Sequence, residues 1–490
     1  MPTVDKLLAQ DDTLQDIRDN LEELNDNILT NDYVKTVNGV PVSSGTHNVV
    51  IPTFAPTIKV NALTGSTVTI SKGSTVLTPT EVSGTWTCTI PEWGYWTVTV
   101  TKEIEGQDDL VYTKFIAVNE VKRYEVNSHF IYGCTWSGSN TSACVRTDDA
   151  VGASVNPYYA GMTETPSSTF DSYYPWNKVE DVTSEDDDYA TIGSGAYGDF
   201  VRIPKFWQKI EKSGTTISWK IAPYQVDSTY RLPRAFIRSD NTVRDYIYIA
   251  KYHCANDGTY RSLANGTPQV NQTRATFRSG CHLASNVWML SYDVYEVIRS
   301  LYIVEFANFD AQRQIGYGCG NGSYVQSCTV NGTFSYHTGT ALSSRTSYGV
   351  GVKYRNIVGL WDNCWDFCDG ITFDGSHTYM SNDRDNFSDD YTTTGMTYVG
   401  ERPSSASSNS IKSFFVATAS GFEGSMFASE IDGDTSGSSY TCDVLWSGGT
   451  VLLVGGGYNQ ELAAGLFALI SNLSASYYNS DVGSRLQILP

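Results

Sequence analysis

YRNIVGLWDNCWDF, residues 354–367, is the stretch of sequence that decides the fold. Trp361 and Trp365 lie four residues apart on either side of Asn363. Two large aromatic side chains at this spacing are predicted to anchor a hydrophobic core, because each can bury a large apolar area. We expect the Asn363 amide to hold the backbone of the surrounding loop, since it carries both donors and an acceptor.

A second set of motifs lies near the C-terminus. Residues 455–459 read GGGYN, residues 464–467 read AGLF and residues 482–486 read VGSRL. Together with residues 354–367, these motifs resemble the "GL-x-x-N-x-W-E-W" box and the "GGSW…AG-L-F…IG-x-R" ending of the formylglycine-generating enzyme (sulfatase-modifying factor) group of the C-type lectin fold. The form with AGLF is similar to the variable proteins of diversity-generating retroelements, phage receptor-binding proteins among them.

The resemblance implies a C-type lectin-like domain over most of residues 121–490. Asn363, Trp365 and Asp366 take the places of the Asn, Trp and Glu in the family's box. The fold-motif positions that the resemblance assigns are Trp361, Asn363, Trp365, Asp366, Gly465, Phe467, Gly483 and Arg485.

Enzymatic formylglycine formation is not expected. The oxidase members of the family use copper-binding cysteines close to the C-terminal motif, whereas the last cysteine here is Cys442. The thiolate ligands that this chemistry requires are therefore missing from residues 443–490. The sequence also lacks the GxxxxGK[ST], HExxH, GxSxG and EF-hand patterns. We predict a binding protein without catalytic residues, metal ligands or cofactors; a structural calcium ion stays open, with no residues assigned to it.

Two stretches beside the C-terminal motifs are candidates for a receptor-binding surface. Tyr adds rigid amphipathic contact area, and Asn, Ser and Asp add adaptable hydrogen bonds. In retroelement variable proteins, adenine-rich codons yield these same residue types, so the composition agrees with the resemblance. The alternative is that the tyrosines are simply half-buried on a loop-rich surface. We expect both stretches to converge on one exposed face; the candidate residues are Tyr458, Asn459, Gln460, Leu462, Ala463, Tyr477, Tyr478, Asn479 and Ser480.

Composition excludes several classes of function. The 490 residues include 53 acidic and 33 basic side chains, which gives a net charge of −20. Nucleic acids and anionic membranes attract clustered Lys and Arg, so neither is expected as a partner. Aromatic residues make up 13 % and charged residues 18 %, which is typical of a β-rich or loop-rich binding protein rather than a disordered chain. No stretch approaches the roughly 20 apolar residues of a membrane helix.

Residues 1–32 carry a heptad pattern. Apolar residues recur at alternating spacings of three and four from Leu14 onward, and Leu7 lies one heptad earlier with the polar Gln10 between them, which predicts a coiled coil for oligomerisation or attachment. A homotrimer is expected because related phage fibres are trimeric. A single amphipathic helix packed on its own domain is the alternative. The seam positions are Leu7, Leu14, Ile17, Leu21, Leu24 and Ile28.

Changes in sequence pattern divide the rest of the chain into three predicted segments. Residues 33–54 contain turn-forming Asn, Gly and Pro and predict a connector. In residues 55–120, apolar residues alternate with threonine, which predicts an Ig-like β-sandwich. Residues 121–490 are predicted to form one large domain with a helix after Ser291. The expected fold class is mainly β with an α+β C-terminal domain.

The cysteines and the N-terminal sequence indicate whether the chain is exported to an oxidising compartment. Ten cysteines are spread thinly, and no basic stretch followed by an apolar one begins the chain. No secretory signal is therefore expected, and reduced, buried thiols are favoured over disulfides.

The sequence as a whole predicts a phage tail fibre or receptor-binding protein in the virion, assembled in the host cytoplasm. Its expected partners are a host-cell surface protein or glycan and, through the N-terminus, other tail or virion proteins. One alternative is a glycan depolymerase in which two unassigned carboxylates flank a sugar. Another is a virion decoration protein whose Ig-like module binds.

Overall fold

The computed structural model describes most of the chain from residue 55 onward. The described residues are 36–37, 40–41, 55–104, 109–138, 142–156, 158–159, 167–183, 186, 189–190, 192, 195–264, 266–316, 318–319, 338–339, 351–389, 392–403, 409–431, 444–447, 449–460 and 463–490. The predicted coiled coil at 1–32 and most of the predicted connector at 33–54 lie outside them, and both stay predictions.

Two compact units make up the chain. The first comprises residues 1–58, 89–94 and 117–124, and the second comprises residues 59–88, 95–116 and 125–490. Within the first unit, the Ile90 amide donates to the Pro56 carbonyl at 2.8 Å and the Thr57 amide donates to the Lys122 carbonyl at 3.1 Å. The sites described below all lie in the second unit.

Residues 57–128 form two four-stranded sheets. Their apolar residues alternate with threonine as predicted, and Ile70, Trp96 and Val98 are fully buried. β-branched and aromatic side chains suit such a half-buried pleated surface. The last strand reaches Ser128, beyond the expected end at residue 120; the immunoglobulin topology stays a prediction. In sheet order, the strands are Arg123–Ser128, Thr57–Ala62, Thr85–Thr89 and Thr80–Val82, and Thr75–Leu77, Thr67–Lys72, Gly94–Lys102 and Leu110–Val118.

Two larger sheets carry the C-terminal motifs, and the described part of the chain is mainly β. A five-stranded sheet has the order Glu180–Asp181, Phe200–Pro204, Tyr246–Ala250, Leu486–Ile488 and Val287–Met289. A seven-stranded sheet has the order Met426–Ile431, Asn409–Val416, Val444–Ser447, Leu469–Leu473, Val451–Val454, Trp365–Cys368 and Val482–Gly483. The strand Leu486–Ile488 is hydrogen-bonded on both edges, so the end of the chain lies inside a sheet rather than at its border.

Smaller elements complete the described structure. The remaining sheets have the orders Val145–Asp148, Tyr132–Trp136, Thr216–Ala222 and Trp207–Ser213; Tyr158–Tyr159, Thr338–Gly339, Lys353–Tyr354 and Ile357–Val358; Ile371–Asp374, His377–Met380 and Thr397–Glu401; Val155–Asn156 and Ser167–Ser168; and Thr36–Val37 and Val40–Pro41. The α-helices are Arg274–Cys281, Tyr292–Phe306 and Ala311–Gln314, and the 3₁₀ helices are Thr169–Ser172, Trp176–Lys178, Arg234–Phe236 and Arg384–Asn386.

The helix Tyr292–Phe306 confirms the predicted helical segment. It is buried on almost every side, which explains how a sequence rich in β-branched residues, modest helix formers, is held in this form by packing. Ser291 occupies the N-cap position, but its hydroxyl does not cap the backbone. It donates instead to the Asp293 carboxylate. The helix is followed by the C-cap residue Ala307, which has a left-handed φ of 49° and whose amide donates to the Ile303 carbonyl.

The cysteines correct one expectation. Most described cysteines are free thiols, as predicted: Cys88, Cys134, Cys144, Cys254, Cys281, Cys364 and Cys368. Cys319, however, is disulfide-bonded. Spacing alone could not reveal this bond, because a disulfide depends on how closely two Cα atoms approach in the fold.

Membrane-spanning helices and metal-binding clusters are two structural features that bear on the class of function. Among the described residues, no helix is both long and apolar enough to span a bilayer. In the same part of the chain, no three His, Cys, Asp or Glu side chains are grouped so that they could hold a metal ion.

Candidate functional site

The aromatic box at residues 361–367 forms the base of the candidate site. Trp361 and Trp365 are 0 % and 1 % exposed, which confirms the prediction that they anchor the core. Trp361 Nε1 donates to the Gly316 carbonyl at 3.1 Å. Asn363 is buried with a left-handed φ of 60°, a conformation that Asn tolerates better than most residues. The two tryptophans are therefore held at a sharp bend between buried segments.

A buried ion pair joins the box to the C-terminal motif. Arg485 is fully buried, and its Nε donates to Asp366 Oδ2 at 2.7 Å. Its two terminal nitrogens donate to the carbonyls of Val358 at 3.1 Å and Gly359 at 2.8 Å. A buried charge needs such partners, because it has lost its hydration. The sequence identified both Asp366 and Arg485 as motif residues, but not that they bind each other.

His253 lies beside this pair. Arg485 NH2 is 3.2 Å from His253 Nε2, and His253 Nε2 is 3.6 Å from Asp366 Oδ1. Burial lowers the pKa of His253 to about 4. The imidazole is therefore neutral near pH 7, and its Nε2 can accept the guanidinium hydrogen bond.

Asp362 is a second buried carboxylate that the sequence pattern missed. Its Oδ2 accepts from the amides of Cys319 at 2.9 Å and Val352 at 3.0 Å. Burial raises the pKa of Asp362 to about 6. Its place in the box, directly after Trp361, is the only signal that could have pointed to it.

Glycines allow the C-terminal motifs to pack closely against one another and against the box. Gly456 has a φ of 146°, and a Cβ at this position would lie 2.4 Å from the Ala464 Cβ. At Gly483, a Cβ would lie 2.8 Å from Cys364 Sγ. Both contacts are closer than real Cβ atoms allow, so any larger residue would push these segments apart. Gly465 and Phe467, the other motif positions, are buried as well.

The two candidate receptor-binding stretches meet on the surface above this base. The Tyr458 hydroxyl lies 3.2 Å from Ser480 Oγ. Asn459, Tyr478 and Asn479 are exposed, and 62 % of Tyr478 is accessible to solvent. Gln460 and Ala463 are half-buried beside them in sequence, and Leu462 lies outside the described residues. We call this surface the terminal face; its residues are Tyr458, Asn459, Gln460, Ala463, Tyr478, Asn479 and Ser480.

Tyr477 departs from the predicted set. It is half-buried and packs against the hydrophobic core rather than projecting from the surface. Its hydroxyl accepts from Asn479 Nδ2 at 3.1 Å. Tyr477 and Tyr478 therefore lie in different surroundings, although they are neighbours in the sequence.

Two further residues border the terminal face and were not predicted. Asn271 is exposed, and its amide donates to the Asn479 carbonyl at 3.0 Å. Asp481 is only 5 % exposed, and its carbonyl accepts from the Trp365 amide at 2.8 Å. Burial raises the pKa of the Asp481 carboxyl. The terminal face therefore rests directly on the aromatic box, with a second loop beside it.

Comparisons with known proteins found little at the level of sequence. No protein-family model matches the chain, and no curated protein matches it. Among solved structures, it has a weak likeness to proteins entitled tropism determinants: the "Major Tropism Determinant P3c Variant" has 10 % identity and a TM-score of 0.24, with 82 % of this chain and 83 % of that chain covered. The "Major Tropism Determinant M1 Variant" has 9 % identity and a TM-score of 0.25, with 82 % of both chains covered. At these scores, neither the fold nor the function of this chain rests on the likeness.

Proposed function

We propose that the chain is a phage receptor-binding protein that attaches a virion to a host-cell surface protein or glycan through the terminal face. The phage context comes from the resemblance of the C-terminal motifs to retroelement variable proteins. No catalytic step is part of the proposal.

The observation that carries the proposal is the contact between Tyr458 and Ser480, 3.2 Å apart. It joins two loops that are 22 residues apart in sequence into one surface. Tyr, Asn, Ser and Gln on that surface supply aromatic contact area and hydrogen-bonding groups, the combination used by binding loops.

The support beneath the face is rigid. Residues 464–469 and 481–489 are buried on either side of it, and the Arg485–Asp366 pair ties the second of these segments to the aromatic box. A preorganised surface loses less entropy when it binds, so such a base favours affinity. It also allows exposed residues to change without unfolding the domain, because surface substitutions usually alter stability by less than about 0.5 kcal/mol.

The remaining parts of the proposal concern assembly. The heptads at 1–32 would form a homotrimer and attach it to other virion proteins, and residues 57–128 would act as a spacer. Whether a retroelement diversifies the terminal face would be decided by a template repeat in the neighbouring DNA.

The decisive experiment compares host-cell binding by the full-length chain and a Tyr458→Ser, Tyr478→Ser double variant. Interface anchors of this type contribute about 1 kcal/mol or more each, so the double variant should bind at least about tenfold more weakly, with an unchanged melting temperature. Tyr477 is left intact because its ring packs against the core.

A matched control uses Tyr95, an exposed tyrosine on the strand Gly94–Lys102, 74 % of which is accessible. Tyr95→Ser should leave binding unchanged. If Tyr95→Ser abolishes binding and the double variant does not, the decoration-protein alternative is favoured. New reducing ends on host glycan incubated with the protein would instead favour a depolymerase.

A further inference from the structure

A polar cavity of about 280 Å³ lies beside the first turns of the helix Tyr292–Phe306. Asp293 and Glu296 from this helix line it, together with Gln208 from the strand Trp207–Ser213. None of the terminal-face residues contributes to its lining. The cavity is therefore a separate feature of the second unit.

Three residues of the lining each carry a buried polar atom with no hydrogen-bond partner within the described part of the chain: Gln208 Oε1, Asp293 Oδ2 and Arg234 Nε. Gln208 and Asp293 are each only 8 % exposed. The nearest cation to Asp293 Oδ2 is Arg384 NH2 at 3.6 Å, beyond hydrogen-bonding distance. A buried acceptor without a donor is destabilising, because the hydrogen bonds it made to water are not replaced. Two acceptors and a donor around one cavity point to a ligand that both donates and accepts.

The charges around the cavity nearly cancel. The lining contains two guanidinium groups, from Arg231 and Arg234. It also contains three carboxyl groups, from Asp293, Glu296 and Glu423. Burial raises the pKa of Glu296 to about 7, which reduces the negative charge that this carboxyl carries at neutral pH. An ion entering the cavity would lose its hydration without meeting a clear excess of opposite charge. The lining therefore favours a neutral ligand.

The cavity wall also has an apolar part, which suits the carbon–hydrogen faces of a ligand. Pro233 and Phe422 are buried in the lining, and the Arg234 guanidinium lies 5.4 Å from the centre of the Phe422 ring. A ligand with carbon–hydrogen faces and hydroxyl edges could contact this wall and reach the unpartnered atoms at the same time. A sugar ring has both features.

We propose that this cavity binds a neutral polyhydroxylated ligand of monosaccharide size, with Gln208 and Asp293 accepting from its hydroxyls and Arg234 donating to one of them. The proposal does not depend on the terminal face. It adds a second binding site for which the sequence carried no recognisable motif.

The test measures binding of neutral sugars to the full-length chain by calorimetry and ligand-observed NMR. The probes are D-glucose, D-galactose, D-mannose and N-acetyl-D-glucosamine, at concentrations above about 1 mM so that weak binding is detected. D-glucuronate and L-lysine serve as charged counterparts. At least one neutral sugar should bind saturably, and a crystal soaked with it should place the ring in the cavity.

Two variants assign the binding to the named atoms. Gln208→Met keeps the length of the side chain but removes the unpartnered acceptor, so it should weaken sugar binding about tenfold without lowering the melting temperature. Asp293→Asn should weaken it similarly. Tyr458→Ser on the terminal face should not change sugar binding, which separates this site from the proposed receptor surface.

The proposal is overturned if none of the neutral sugars binds and the cavity holds only ordered water. Stronger binding of glucuronate or lysine would also overturn it, because the site would then select charge. The same conclusion follows if Gln208→Met and Asp293→Asn, both folded, bind the sugar as the parent chain does.

Discussion

Replacing Arg485 with Met tests whether the buried pair holds the C-terminal motif on the aromatic box. Arg485 is fully buried and donates to Asp366 Oδ2 at 2.7 Å. Met would fill much of the same volume but would leave the Asp366 carboxylate, 1 % exposed, without its opposite charge. It would also remove the donors to the carbonyls of Val358 and Gly359. Breaking a buried pair in this way costs about 3–5 kcal/mol, which is the loss we expect in the free energy of unfolding.

The assay is urea unfolding of the full-length chain, followed by the fluorescence of its 11 tryptophans, of which Trp361 and Trp365 lie in the box. Arg313→Met is the matched control: its side chain is 64 % exposed and pairs with Asp310 at 3.0 Å, so it should cost less than about 1 kcal/mol. An Arg485→Met variant no less stable than this control would refute the role given to the pair. Arg485→Met combined with Asp366→Leu should recover part of the loss, since it removes both charges.

Two other predictions concern the same region. Trp365→Ala should lower the free energy of unfolding by about 3–5 kcal/mol, because its side chain is 1 % exposed; an unchanged melting temperature would contradict its place in the core. Burial raises the pKa of Asp362 to about 6, so the folded state binds its proton more readily than the unfolded state, and Asp362 contributes stability as pH falls from about 7 to 5. Asp362→Asn should lose part of that gain, measured as the urea midpoint at each pH, and identical pH profiles for variant and parent would contradict this.

Local patterns in the sequence predicted several elements correctly. The alternation of apolar residues with threonine, as at Ile70 and Val98, predicted strands with one buried face, because successive side chains in a strand point to opposite sides. The capping position of Ser291 and the apolar stripe after it predicted the helix Tyr292–Phe306. The spacing of Trp361 and Trp365 predicted a buried anchor. In each case the sequence pattern and the structural element that it predicts both span only a short local segment of the chain.

The tertiary structure alone decided which distant residues meet. Arg485 and Asp366 are 119 residues apart, and their pairing follows from a strand register that no local period contains. Tyr477 and Tyr478 are neighbours of the same type, yet one packs against the core and the other is 62 % exposed. Gln208, Arg234 and Asp293 come from three separate elements, and only packing brings them around one cavity. The sequence alone determined the residue types and local periods that form strands, a helix and a buried aromatic anchor. Contacts between segments far apart in the chain depend on the whole fold instead. The reason is that the direction and burial of a side chain are set by neighbours that sequence spacing does not reveal.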